Sequence, residues 1–162
     1  MATPEARTLG QLGRLEAWVS FLRSHAAVTR ELSAQLQREH GLTINDYEVL
    51  LHLRDADGCM LRRVDLAERV LLTASGITRL LDGLERQGFV DKVNCETDAR
   101  VTYARLTDDG HRKLAEASRT HLAGVDDLFT SRYSETELET LAELLSRLPM
   151  TGSACKPETC GG

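Results

Sequence analysis

The run DLAERVLLTASGITRLLDGLERQGFV, residues 65–90, constrains the fold more than any other part of this 162-residue chain. It reads as two helices joined by a tight turn near Leu71 to Thr73. The first is short, with Val64, Ala67 and Val70 expected inward. The second runs from about Ala74 to Gln87. Ile77, Leu80, Leu81 and Leu84 line its apolar face, and Ser75, Thr78, Arg79, Asp82 and Arg86 line the other. Gly88 suits a left-handed helix cap, with Phe89 as the apolar residue just beyond it. Two short β-prone runs then follow, FVDKVN and VTYARL, joined by CETDAR. Val101 and Tyr103 alternate with Thr102 and Ala104, as in a half-exposed strand.

Long helices flank this centre. From Leu12 to His40 the apolar positions Leu12, Leu15, Val19, Leu22, Ala26 and Leu36 recur at threes and fours, and Thr29 and Ser33 continue the seam. Gly41 is its expected cap. Such a helix exceeds what one small lobe needs, so it points to a subunit contact. Thr43 and Asp46 form a near capping box for the next helix, with Tyr47, Leu50, Leu51 and Leu53 as its buried face. Asp55 to Gly58 reads as a turn, and Cys59 stands at a strand start. After the hairpin, Thr107 caps a helix running to about Phe129, and Asp108 and Asp109 favour its positive end. Ser134 with Glu137 opens a last helix carrying Leu138, Leu141, Leu144, Leu145 and Leu148, which Pro149 stops. Residues 149–162 are expected to form a flexible cysteine-containing tail.

A formal charge of -5 argues against bulk attraction to a polyanion, though not against a local basic patch. No run approaches the roughly 20 apolar residues of a membrane span, and the first ten residues lack an apolar signal core. The expected location is the cytoplasm, with reduced thiols. The chain contains no Gly-rich phosphate loop, nucleophile elbow or metalloprotease helix motif, so no enzyme class is indicated.

A helix-turn-helix followed at once by a hairpin is the winged-helix arrangement. Its second helix offers N-terminal side chains to base edges in the major groove. Ser75, Thr78 and Arg79 occupy that end, where hydroxyls and a guanidinium suit bases and phosphates. Arg100 stands at the hairpin turn, placed for the electronegative minor groove. Asp98 is expected to support that turn. Arg62 and Arg63 are candidate phosphate contacts, with plain exposed arginines as the competing reading.

The segments GLTINDYEVLLHL, DLAERVLLTASGITRLLDGLERQGFV and DARVTYARLTDDG, in this order and spacing, resemble the multiple antibiotic resistance regulator (MarR) family. The resemblance implies a mostly α fold with a small β-hairpin wing (α+β). It divides a MarR-type domain at 12–148 into a winged helix-turn-helix lobe at about 43–106 and a helical dimerisation layer at about 12–40 and 107–148. It further implies a homodimer on a pseudo-palindromic double-stranded DNA operator, acting as a repressor released by a small effector. Trp18, Phe21, His25 and Tyr47 are candidate walls of an effector pocket. Packing inside the dimer layer or between helices is the plainer alternative for them. No resident cofactor is expected, while a small effector or a metal ion stays open.

Two other readings stay open at this level. One is a winged-helix module that binds protein. The other is a switch worked by cysteine oxidation or a soft metal, with Cys155, Cys160, Cys95 and Cys59 as candidates. The C-x4-C spacing of Cys155 and Cys160 matches no strong zinc pattern, and the five histidines do not cluster at ligand spacing.

Overall fold

The computed structural model describes residues 4–95 and 101–149, with side chains from Leu15 onward. Six helices and three strands follow in the order α1 (Pro4–His40), α2 (Ile44–Arg54), β1 (Met60–Arg62), α3 (Arg63–Arg69), α4 (Ala74–Arg86), β2 (Val90–Asn94), β3 (Thr102–Leu106), α5 (Asp108–Leu128) and α6 (Glu135–Leu145). A single 3-10 turn separates α2 from β1, and another separates α5 from α6. No helix among the described residues is long and apolar enough to cross a membrane.

The helix ends follow their caps. Thr43 accepts from the Asp46 amide at 3.1 Å, while Asp46 accepts from the Thr43 amide at 2.8 Å. Ser134 and Glu137 repeat that box at α6. Together such boxes satisfy amide groups that a helix start leaves without partners. Gly88, at φ 77, ends α4 in the left-handed region, where its amide donates to Glu85 and the Phe89 amide to Leu84. The α3–α4 turn uses the same geometry with a less suited residue: Leu71 stands at φ 55 and the Leu72 amide donates to Ala67.

The three strands form one antiparallel sheet in the order β1-β3-β2. Leu61 pairs with Ala104, and Asn94 with Thr102. The hairpin is therefore backed by a third strand, and its ladder continues on the turn side where the Cys95 amide donates to the Val101 carbonyl at 3.0 Å. Thr107 ties this sheet to α5. Its hydroxyl donates to the Gly88 carbonyl at 2.7 Å and accepts from the Gly110 amide at 3.0 Å.

The core lies between α2, α3, α4, the sheet and the first half of α5. Leu50, Leu53, Leu66, Ile77, Leu84 and Leu114 are fully or almost fully buried in it. Three expectations are corrected here. Leu66, not Val64, anchors α3: Leu66 is fully buried and Val64 is 56% exposed. In α2, Val49 is fully buried while Leu51 is only partly so. Helix α1 starts at Pro4 rather than near Leu12, with proline at the first helical position, where its fixed φ fits and its missing N–H is not needed.

Among the described side chains of α1, those buried within the chain lie in its last part. Leu32 and Leu36 are buried, and α1 crosses α5 where a side chain on Gly124 would sit 2.9 Å from Leu32 Cδ2. Leu15, Trp18, Val19, Phe21 and Leu22 are exposed, as are Leu122, Leu144 and Leu148, and α6 has no buried residue. Large apolar side chains exposed in this number mark an interaction face.

Candidate nucleic-acid interface

Helix α4 forms because its apolar residues repeat on one face and Thr73 caps its start, accepting from the Gly76 amide at 3.1 Å. Burial of Ile77, Leu81 and Leu84 fixes which side turns outward. Ser75, Arg79, Asp82 and Arg86, at i, i+4, i+7 and i+11, share the outer stripe. The structure thus brings Ser75, Thr78 and Arg79 together at the N-terminal half of α4.

Their states differ. Ser75 Oγ lies 3.2 Å from Thr73 Oγ1. Thr78 donates its hydroxyl to the Ala74 carbonyl at 2.8 Å and lies 3.4 Å from Arg63 Nη1, which donates to it. Arg79 is exposed, with no partner among the described residues, and its five donors remain available to a base or phosphate. Arg62 is already engaged. It grips Asp65 with two bonds of 2.9 and 3.0 Å at the start of α3. Arg63, one residue on, is exposed.

Charge on this surface is balanced. Lys92 of β2 pairs with Asp82 and, at 2.9 Å, with Glu85 on α4. The Asp82 bond holds the Lys92 ammonium above its usual pKa, and Lys92 in turn holds the Asp82 carboxyl below its own. Arg105 meets Asp91 at 3.1 Å. These pairs lock β2 and β3 to each other and to α4. They also temper the positive potential that would bind any duplex.

Asp98 and Arg100 lie outside the described residues, as do Cys155 and Cys160. Cys59 and Cys95 are half-buried thiols without a disulfide. Cys59 sits at φ 53 with Sγ 3.8 Å from the Arg54 carbonyl oxygen. Among the described residues no three metal-ligating side chains gather.

The candidate effector residues separate into two places. Trp18, Phe21 and His25 form a row on exposed α1, with successive ring centroids 6.3 Å apart. Tyr47 is buried elsewhere, its ring 4.7 Å from that of His121 and its hydroxyl 3.3 Å from Ser118 Oγ, both on α5. The residue beside His121, Thr120, donates to Glu39 at 3.2 Å. Its oxygen also lies 2.7 Å from His40 Nε2. This polar junction of α1, α2 and α5 was not legible in the sequence, because its members stand some seventy to eighty positions apart. Burial holds the His121 pKa below the ordinary value, and its Nδ1 is buried without a partner.

The family model described as MarR family matches residues 40–101. YkoM of Bacillus subtilis (strain 168), an uncharacterized HTH-type transcriptional regulator, is 31% identical over 127 residues, covering 78% of this chain and 80% of its own. The HTH-type transcriptional repressor YetL of the same organism is 32% identical over 108 residues, 67% of this chain and 64% of its own. Among solved structures, the Streptomyces coelicolor regulator Sco3205, a MarR family protein in complex with DNA, matches with a TM-score of 0.75 at 25% identity. That match covers 91% of this chain and 87% of Sco3205.

Proposed function

Because the chain belongs to the MarR family of transcriptional regulators, we propose that it works as a homodimeric, sequence-specific DNA-binding repressor released by a small effector. One observation carries the reading. Helix α4 turns Ser75, Thr78 and Arg79, the last without a partner among the described residues, outward as one surface, beside a hairpin braced to it through Lys92. An exposed helix with arginine and hydroxyls near its N-terminal end suits the major groove. The hairpin then reaches the neighbouring minor groove, where Arg100 and its supporting Asp98 belong to the proposed contacts. Arg63 is assigned to a phosphate, and Arg62 to holding α3.

The dimer rests on α1, α5 and α6, whose exposed leucines, Trp18 and Phe21 need a covering partner. Two-fold symmetry then asks for a pseudo-palindromic operator with half-sites about 34–36 Å apart, or a multiple of that. YetL is a repressor by name, and that sign of regulation is carried over as part of the proposal. An effector seated between the dimer layer and the lobe would act by shifting the spacing of the two α4 helices.

The test is enrichment of genomic fragments by the full-length chain, followed by a mobility-shift titration on the recovered site. The expected result is a two-fold symmetric site bound at least about a thousandfold more tightly than unrelated duplex. Equal affinity for all duplexes, or none at low salt, would remove the reading.

A further inference from the structure

A cleft of about 300 Å³ separates α4 from the β2–β3 hairpin. Leu81 lines it together with Arg63 of α3, Thr78 of α4, Lys92 and Asn94 of β2, and Thr102 of β3. Asn94 and Thr102 face each other as the last register pair of β2 and β3 before the turn, and Lys92 stands two residues earlier on the same side of the strand. One face of the hairpin thus turns an ammonium, an amide and a hydroxyl toward α4. The guanidinium of Arg63 adds a second positive charge, and among the described residues the lining itself holds no carboxylate, Asp82 and Glu85 meeting Lys92 from α4.

We infer that this cleft receives a backbone phosphate of the operator, the phosphodiester lying between the major groove entered by α4 and the minor groove next to it. The inference rests on the DNA-binding reading above. In any duplex, adjacent major and minor grooves are divided by one sugar-phosphate strand. A protein that puts a helix in one groove and a hairpin in the other must let that strand pass between them, and the passage here is this cleft. Its lining is matched to the task. Thr78 has given its proton to Ala74, so it accepts from Arg63 and holds the guanidinium in place. Lys92 has three donors; Asp82 and Glu85 take two, which tethers the ammonium and leaves one proton for a phosphate oxygen. Asn94 and Thr102 supply neutral donors. Lys92, Asn94 and Thr102 thereby join Arg63 as phosphate contacts that set position without reading sequence.

The test uses the full-length chain and a duplex it selects from a random library. That duplex is resynthesised with one neutral methylphosphonate at each backbone position in turn. One position per half-site should weaken wild-type binding about tenfold, the size of one charge-assisted hydrogen bond. For Arg63→Ala and Asn94→Ala the loss at that position should shrink to less than about twofold. Ser75→Ala, a control outside the cleft, should bind more weakly yet keep the full loss. Both altered cleft residues are exposed, and thermal melts confirm that the variants fold. If no position couples to Arg63 and Asn94, the cleft assignment is overturned while DNA recognition stands. If no duplex can be selected at all, DNA recognition fails and the inference falls with it. If the scan is flat but inorganic phosphate shifts the Asn94 and Thr102 amide resonances, the cleft holds a free anion and the backbone assignment is wrong.

Discussion

Tyr47 of α2 lies against His121 of α5, with ring centroids 4.7 Å apart and planes inclined by 40°. The contact joins the helix that supports the lobe to the helix that leaves it. His121 Nδ1 is buried without a partner, so a proton there would gain no acceptor.

Stability should therefore fall on mild acidification. Burial holds His121 below its ordinary pKa. Burial first, then the charge of Arg69, does the same to His52, against an opposing pull from Asp55. In the unfolded chain both histidines take protons near pH 6.5. The folded state resists, so the unfolded state binds more protons as pH falls through that value. Stability is full above it, drops below it, and levels off beneath the folded pKa values. Urea midpoints at about pH 7.5 and 5.5, at fixed ionic strength, should show the drop. His121→Phe keeps the ring contact and should flatten part of it. An unchanged drop would assign the effect to His52 alone.

Neighbouring arginines should separate stability from binding. Arg62 holds Asp65 with two bonds at the start of α3, whereas Arg63 is exposed beside Thr78. Arg62→Ala should cost about 0.5–1 kcal/mol of stability, the range for a partly exposed pair, and change operator affinity little. Arg63→Ala should leave the melting temperature in place and weaken binding alike on every sequence, with a smaller salt slope. The opposite pattern in paired melts and titrations would exchange the two assignments.

The same substitution should have opposite signs at two glycines. A Cβ on Gly110 would overlap the Phe89 carbonyl oxygen and sit 2.7 Å from Leu106 Cδ1, just where α5 is tied to the sheet. Backbone cannot yield as a side chain can, so Gly110→Ala should cost about 2–3 kcal/mol. At Gly83, inside α4, a Cβ meets nothing within 4 Å. Gly83→Ala should gain about 0.5–1 kcal/mol by removing glycine's backbone entropy from a helix. Chemical denaturation of both variants checks the pair.

What the sequence showed depended on the length of each signal. Helix α4 was legible because Ile77, Leu80, Leu81 and Leu84 repeat on one face of a helix thirteen residues long. Helix α3 has only seven, and two turns allow either Val64 or Leu66 to face inward; packing against α4 chose Leu66. Strand β1 is three residues long and owes its existence to pairing with β3, more than forty positions away. Within the interface, Ser75, Thr78 and Arg79 stand out as polar breaks on an amphipathic helix. Lys92, Asn94 and Thr102 do not, since alternating polar residues suit any exposed strand, and only the fold sets them opposite Arg63.

The apolar face of α1 should decide both assembly and affinity. Leu15, Val19 and Leu22, at i, i+4 and i+7, are exposed in the single chain, with Trp18 and Phe21 beside them. Burying each such side chain is worth about 1.5–3 kcal/mol, so a two-fold partner covering this row gains far more than any surface polar contact offers. Val19→Glu with Leu22→Glu puts two charges into that contact, where they would lack counter-ions. Sedimentation should show a monomer, while the lobe keeps its unfolding midpoint because neither residue touches its core. Operator affinity should fall at least about a hundredfold, since each half-site is then bound without the effective concentration a linked partner supplies. A variant that stays dimeric would move the interface to Leu144 of α6 and Leu148 just beyond it. A monomer that binds at full affinity would show that each lobe reads DNA alone.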